Sequence, residues 1–459
     1  MPLSGAASAA LSTTEFSELM RAAGPFPGDA AVAVAVSGGA DSMTLLSLAH
    51  DWAAETGATL TALTVDHGLR PEAGAEAAQV AAWCKAHGIA HQTLVWTGDK
   101  PDNGLQAAAR DARYTLLHEW CHAQGHTELL VAHSQNDQAE TYLMRMSRGS
   151  GIDGLAAMPL VSDRNGVRLI RPLLTVSRAR IEATTAARSM ATVSDPSNRD
   201  RRYARVRMRD KLKLLEAHGV SAAAIAGTAR VFGNMRAARE RAIAVLAGDI
   251  AVLHLQGYAS IARAGLTGAN PEADPGLAPE TARGLVAAVL MSIGGLDYPP
   301  RRERLARLMA DILQNVDFRP RTLGNCVISS RGGELFIRRE HRTIRHVIPV
   351  EPGRRVIWDR RFTVEFAAIP ATEAARYRIC ALGEDGWRYI VSLSDPRDLV
   401  EFREIPGPVR YALPAVWYDE KVVEVPHLRY QSGQGVEKIV ENVEFLIQPL
   451  LKGHPFWVI

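Results

Sequence analysis

The sequence predicts an α/β protein: an N-terminal doubly wound parallel sheet, then a helical middle region, then a small, β-rich α+β region. Three observations carry this expectation. Over about the first 200 residues, short apolar runs rich in β-branched residues alternate with longer helical stretches. A Gly-rich loop joins the first apolar run to the first helix. Beyond about residue 215 the alternation gives way to helical patterns, and from about Thr322 to short alternating runs punctuated by turn residues.

The elements follow in order. Ala31–Val36 (AVAVAV) reads as a buried strand and Asp41–Ala54 as the helix after it. Thr59–Val65, His91–Trp96 and Glu128–His133 read as further strands, with helices at Glu72–His87, Gly104–Ala123 and Asp137–Arg148. Arg168–Leu174 reads as a fifth strand, followed by a helix at Ser177–Ser189. A helix between each pair of strands returns the chain over the sheet, so the strands run parallel with right-handed crossovers. Ligands of such sheets gather beyond the carboxyl ends of the strands. The segments to search are therefore 37–42, 66–70, 97–106 and 133–140. Ala222–Leu246, Pro279–Met291 and the basic stretch Arg301–Gln314 read as helices around a Gly/Pro/Asn loop at Gly265–Gly276. Cys326–Ser329, Glu334–Arg338 and Phe362–Phe366 read as strands. The expected domains are 25–215, 216–325 and 326–459.

Composition sets outer bounds. The chain has 459 residues, 47% apolar and 22% charged, which is ordinary globular usage and excludes disorder, collagen or coiled coil as the main architecture. A net charge of +3 argues against a wholly basic nucleic-acid coat. Only seven of the 53 basic side chains are lysines, at 85, 100, 211, 213, 421, 438 and 452. Arginine's planar fork suits phosphate, although a genome's compositional habit gives the same bias. Cys84, Cys121, Cys326 and Cys380 form no C-x-x-C pair, which fits a reducing compartment. The N-terminal stretch has no Lys or Arg before Arg21, and Glu15 and Glu18 interrupt it, unlike a signal peptide. The longest mainly apolar run, Gly284–Leu296, is too short to span a bilayer. A cytoplasmic protein without membrane contact is the expectation.

Ser37-Gly38-Gly39-Ala40-Asp41-Ser42 lies between a strand and a helix. Glycines let the backbone approach a ligand closely, and free N–H groups at a helix start, aided by the helix dipole, attract anions. A tight turn with a helix cap uses the same residue types, but the strand–loop–helix context favours a phosphate site. No G-x-x-x-x-G-K-[ST] occurs, so this is not a Walker A loop.

SGGADS resembles the pyrophosphate loop of PP-loop ATP-pyrophosphatases, enzymes with an adenine nucleotide α-hydrolase-like fold. Further blocks narrow the match: Val65–Arg70 (VDHGLR), Ala109–Tyr114 (ARDARY), His133–Thr141 (HSQNDQAET), Arg148–Gly151, Gly154-Leu155, Arg171–Leu174 (RPLL) and Asp195–Asn198 (DPSN). In this order they resemble the tRNA(Ile)-lysidine synthetase family over about residues 30–215, and again faintly near Leu413–Tyr430. That resemblance implies an ATP- and Mg²⁺-dependent ligase. ATP adenylates C2 of the wobble cytidine of a tRNA(Ile) with a CAU anticodon, and free lysine displaces AMP to give lysidine. Its implied partners are that tRNA and L-lysine, and a homodimer is the expected assembly.

Residue by residue, Ser37, Gly38, Gly39, Ala40, Asp41 and Ser42 would hold ATP, with Asp41 the expected Mg²⁺ ligand, because a carboxylate beside a triphosphate calls for a cation. Asp41 also suits the first turn of a helix electrostatically. Asp66, His67, Arg113 and Arg205 are further ATP-binding candidates; Asp66-x-Gly68 is equally a turn pattern. Asp137 and Glu140, three apart on a helix, share a face and suit an ammonium ligand. With His133 they are the expected lysine site, and with Asp41 the catalytic carboxylates, one of them helping to strip the ε-ammonium. One departure stands out: Asn136 where the family usually has aspartate, and Ser134 where it often has a second histidine. Asn136 suits a helix cap but not a role that needs charge.

Residues 199–213 (RDRRYARVRMRDKLK) carry eight basic and two acidic side chains, a basic face suited to RNA phosphate. Arg201, Arg202, Arg207 and Arg209 there, with Arg301, Arg302, Arg338 and Arg339 later, are the expected tRNA contacts. A solvated charged helix has the same look. Two motifs are discounted. His118–His122 (HEWCH) matches H-E-x-x-H but lies on the far half of a crossover helix, and Gly149–Gly154 matches G-x-G-x-x-G but follows a helix, so it reads as a loop over the site. The alternatives are another PP-loop tRNA enzyme, such as a thiolase, and a nucleotide- or RNA-binding module without chemistry.

Overall fold

The computed structural model describes residues 9–69, 72–97, 100–101, 104–164, 166–193, 202, 204–315, 318–394, 402–433, 438–453 and 458, with 268–277 excepted. The chain forms two compact units, Met1–Ala237 with Phe456–Ile459, and Ala238–Pro455.

The first unit opens with helix α1 (Thr13–Ala23), unexpected from its small-residue sequence. Ser12 and Glu15 form a capping box at its start, and Phe16 and Met20 are fully buried. Then come β1 (Ala31–Ala35), α2 (Ala40–Thr56), β2 (Thr59–Asp66), α3 (Ala73–Ala86), β3 (Ala90–Val95), α4 (Leu105–Ala123), β4 (Glu128–Leu130), α5 (Gln135–Met146), α6 (Ile152–Leu155), β5 (Val161–Arg164), β6 (Val167–Ile170), α7 (Arg178–Ala187), α8 (Ala204–Ala217) and the start of α9 (Ala222–Ile250), whose residues from Ala238 onward belong to the second unit. The sheet order is β3-β2-β1-β4-β6-β5. All neighbours pair in parallel except β5, an antiparallel edge strand hairpinned onto β6.

Both faces of this sheet are covered, as doubly wound sheets require. Val32, Val34 and Val36 pack with Leu45, Leu46 and Leu48 of α2 and with Phe16 and Met20 of α1. On the other face Ala33, Leu63 and Leu129 meet Leu117 and Cys121 of α4. Each large apolar side chain buried this way contributes about 1.5–3 kcal/mol. The strand order reverses between β1 and β4, so a crevice opens beyond their carboxyl ends. The 37–42 loop and the 133–140 segment flank that crevice.

The second unit contains β7 (Ala251–His254), β8 (Tyr258–Ala262), α10 (Arg263–Thr267), α11 (Ala278–Gly294), α12 (Arg302–Gln314), β9 (Arg321–Leu323), β10 (Cys326–Arg331) and β11 (Glu334–Arg339). These strands form one antiparallel sheet, β7-β8-β11-β10-β9, with Leu285, Val286, Val289 and Ile293 of α11 in the core it shares. The β7–β8 hairpin was not legible in the sequence, and the expected boundary at 325/326 falls inside this sheet, between β9 and β10. Two smaller antiparallel sheets follow. One comprises β12 (Ile348–Pro349), β15 (Tyr377–Ala381), β16 (Pro414–Tyr418), β17 (Lys421–Val425) and β18 (Tyr430–Gln431); the other comprises β13 (Arg355–Trp358), β14 (Phe362–Phe366) and β19 (Val440–Phe445). Among the described residues no helix is long and apolar enough to cross a membrane.

Candidate active site

The loop after β1 is shaped by its own side chains. Ser42 is buried; its Oγ accepts the Ser37 N–H (3.1 Å) and donates to the Gly39 carbonyl (2.9 Å). A hydroxyl has one hydrogen, so Ser42 spends its donor on folding the loop and not on a ligand. Gly38 has φ +80°, and a Cβ there would stand 3.1 Å from Val193 Cγ2. Its carbonyl accepts the Val193 N–H at 2.8 Å. Gly39 caps α2 without a side chain, which keeps the helix start open to an anion. Asp41 lies in the first turn of α2. Burial pushes its carboxyl above the usual range, the Asp137 charge adds to this, and Arg178 and Arg209 oppose it.

At the end of β2, Asp66 Oδ1 accepts the Gly68 N–H (2.8 Å), so this aspartate does build the turn. His67 Nε2 lies 3.4 Å from Nε and Nη2 of Arg113 on α4. Burial, then the Arg113 charge, pull His67 down to about 4, so its imidazole is neutral near pH 7. The crevice edge thus brings His67 and Arg113 together.

Beyond β4, Ser134 and Asp137 form a capping box at the start of α5: Asp137 Oδ2 accepts from the Ser134 N–H (2.8 Å) and hydroxyl (3.0 Å). Asn136 Oδ1 accepts the Arg178 N–H (3.2 Å), so the residue that departs from the family pattern satisfies the first free N–H of α7, whose cap is Ser177. Glu140 is only 2% exposed, and both its oxygens are taken, by Arg209 Nε (2.9 Å) and Arg205 Nε (3.1 Å). Arg205 Nη2 also holds Asp137 Oδ1 (2.8 Å). Burial alone would raise Asp137, but Arg205, His133 and the Ser134 donors outweigh it and hold the carboxyl low. Burial, then the Arg171 charge, pull His133 down; its Nδ1 is buried without a hydrogen-bond partner. Arg145 of α5 donates to the carbonyls of Gly154 (2.9 Å) and Ala157 (2.8 Å), and Gln138 exchanges two hydrogen bonds with the Met158 backbone, so the 149–158 turn is pinned to α5.

Comparison with known proteins bears on this crevice directly. Residues 11–215 match the PP-loop domain family. The chain is 43% identical over 319 residues to the tRNA(Ile)-lysidine synthase of Rhodopseudomonas palustris, covering 67% of this chain and 90% of that one. It is 35% identical over 416 residues to the tRNA(Ile)-lysidine synthase of Ruegeria pomeroyi (88% and 90%) and 34% over 412 residues to that of Wolbachia pipientis (87% and 89%). The chain belongs to the tRNA(Ile)-lysidine synthase family. Its PP-loop domain implies the use of ATP.

Within this tRNA(Ile)-lysidine synthase framework the structure redistributes several arginines. Arg205 and Arg209, each partly exposed, are turned onto the acids. Arg178, on no motif, faces Asp41 and Asp137 closely enough for their charges to raise its own pKa after its hydrogen bond to Glu182. Arg171 of the RPLL block is 7% exposed and donates to the Pro159 carbonyl (3.0 Å) and Ser162 Oγ (3.2 Å). Neither had a side-chain role in the sequence reading; Arg178 follows a helix-capping serine and carries no pattern of its own. Arg202 and Arg207 are exposed, and Arg207 Nη1 donates to the Arg202 carbonyl (2.7 Å). Arg201, Arg70 and Asp195–Asn198 lie outside the described residues.

In the second unit Arg301 and Arg302 are exposed, the latter's side chain by 79%. Arg338 is half-buried, which lowers its pKa. Arg339 corrects the expectation of an RNA contact. It is 4% exposed, with Nε and Nη2 on the two oxygens of Asp359 (3.0 and 3.1 Å) and Nη1 on the Asn325 carbonyl (3.0 Å). Its donors are spent inside the fold, because a strand position facing the core buries whatever residue stands there.

Proposed function

We propose that the chain uses ATP to join free L-lysine to C2 of the wobble cytidine of a tRNA(Ile) with a CAU anticodon, through an adenylated cytidine, releasing AMP and pyrophosphate. The observation that carries this is the facing of an open phosphate loop and a buried acid pair across one crevice, in a member of this family.

The loop N–H groups and the α2 dipole bind the triphosphate, with Ser37, Gly38, Gly39 and Ala40 supplying backbone and Arg113 a cation steadied by neutral His67. Asp41 suits Mg²⁺. Its carboxyl is burdened by burial and by the Asp137 charge, a strain that a cation relieves. Mg²⁺ is commonly held by one or two carboxylates plus substrate phosphates, so one carboxylate beside the phosphate loop is a sufficient protein ligand. Bound there, Mg²⁺ would offset charge on the phosphates.

Lysine competes for the carboxylate oxygens of Asp137 and Glu140 that Arg205 and Arg209 occupy. Its ε-amine, ordinarily protonated below about 10.4, must be neutral to attack, and a carboxylate within reach both binds the ammonium and takes its proton. Displaced from the acids, Arg205 is free to turn towards phosphate. Arg202, Arg207, Arg301 and Arg302 supply RNA-phosphate contacts. The test supplies ATP, labelled lysine and tRNA(Ile) bearing CAU. Label enters the tRNA and AMP appears in equal amount. RNA that binds without acquiring lysine overturns the reading.

A further inference from the structure

The crevice edge beyond β3 carries a second cluster that none of the roles above uses. Trp96 immediately follows β3, and its N–H donates to the Asp66 carbonyl (2.9 Å), which locks its backbone against the end of β2. Its indole stands edge-on to His67, with centroids 6.1 Å apart and planes at 88°. Lys100 Nζ lies 5.8 Å from the centre of the indole and donates to the Gly68 carbonyl (2.9 Å). Trp96 is half-buried, Lys100 and Gly68 are exposed, and Trp96 joins none of the buried apolar clusters of this unit. A half-buried indole kept at a polar, cationic rim, outside the apolar clusters that cover both faces of the sheet, is placed to meet a ligand. Lys100 is one of only seven lysines in a chain that otherwise uses arginine.

We propose that Trp96 and Lys100 form a nucleotide subsite beside the phosphate loop, where the indole stacks a base of the RNA strand flanking the target cytidine and the ammonium pairs with that nucleotide's phosphate. This rests on the RNA-substrate reading above. Ring and ammonium are the two components that single-stranded RNA sites combine: a flat face that accepts any base, and a cation that follows the backbone. His67 and Arg113 separate this subsite from the phosphate loop, so the two nucleotides lie side by side at the carboxyl ends of β1, β2 and β3 without sharing a ring.

The experiment titrates the full chain with a CAU anticodon stem-loop and, separately, with ATP, using the wild type, Trp96→Ala, Trp96→Phe and Lys100→Gln, with thermal melting to verify folding. Trp96→Ala weakens RNA binding about 10-fold and leaves ATP affinity unchanged, while Trp96→Phe keeps most of the affinity because a ring remains. Lys100→Gln lowers the slope of log affinity against log salt by about 1. Undiminished RNA binding by Trp96→Ala overturns the subsite alone. Loss of ATP affinity in its place also overturns it, since the indole would then carry adenine. A wild-type chain that binds ATP but not the stem-loop overturns the functional reading, and the subsite with it.

Discussion

Glu140→Gln isolates the acid pair from every other part of the site. The carboxylate is 2% exposed and receives one guanidinium nitrogen on each oxygen, at 3.1 and 2.9 Å. Charge-assisted hydrogen bonds contribute about 1.5–3 kcal/mol each when well sheltered. Here the donors Arg205 and Arg209 are 36% and 30% exposed, so water screens them, and about 1 kcal/mol for each bond is the better figure. The amide keeps one acceptor but sets an N–H₂ against the other guanidinium, so the loss should be about 2 kcal/mol. For a unit of this size that corresponds to a Tm drop of about 4–8 °C. A double-mutant cycle with Arg209→Met should return a coupling of about 1 kcal/mol, measured by thermal or urea unfolding. A Tm change below about 1 °C with no coupling to Arg209 would show that the ion pairs do not hold α8 to α5, and the reasoning would fail.

Other predictions concern the loop and the arginines. Asp41→Asn should raise stability slightly while abolishing ATP-dependent pyrophosphate release. Burial and Asp137 raise this carboxyl above its unfolded value, so the folded state binds the proton more tightly, and the wild type loses stability as pH rises from the unfolded to the folded pKa; unfolding curves across that window should be flatter for the asparagine variant. Gly38→Ala forces a side chain into φ +80° and towards Val193 Cγ2; it should cost about 1–2 kcal/mol and weaken ATP binding, as calorimetry would record. Arg339→Ala should destabilise the second unit by about 1.5–3 kcal/mol, because it removes two hydrogen bonds to the Asp359 carboxylate, which Arg361 Nε still holds at 2.6 Å. Arg302→Ala should leave Tm unchanged and reduce the salt dependence of tRNA binding.

The sheet was legible because its strands announce themselves. AVAVAV is an apolar run of the kind a strand buried on both faces tolerates, Thr59–Val65 is a β-branched stretch of strand type, and each is followed by a helix. The edge strand β5 was not: Val161-Ser162-Asp163-Arg164 has one apolar residue, since an edge needs little burial. Helix α1 was not legible: its Ser12-x-x-Glu15 box stands behind a run of small residues that carries no helical period. At the site, the loop and the acids were readable from motif and spacing. Their partners were not. Nothing in RVRMR tells a basic face for RNA from two guanidiniums folded onto carboxylates 65 or more residues earlier. Arg338 and Arg339 looked alike in sequence, and strand alternation alone sent one into the core.

The sheet of the second unit has a consequence for the birth of the molecule. Strand β8 pairs with β11, whose first paired residue, Glu334, lies 72 positions after its partner Ala262. At about 5–20 residues per second a ribosome takes roughly 4–14 s to deliver that partner. Throughout that interval the β7–β8 hairpin waits with an open edge, and once α11 has been made its apolar face waits uncovered as well. The nascent chain therefore has a window of seconds in which a chaperone has something to hold, and a stop codon placed near residue 325 would leave that window permanently open.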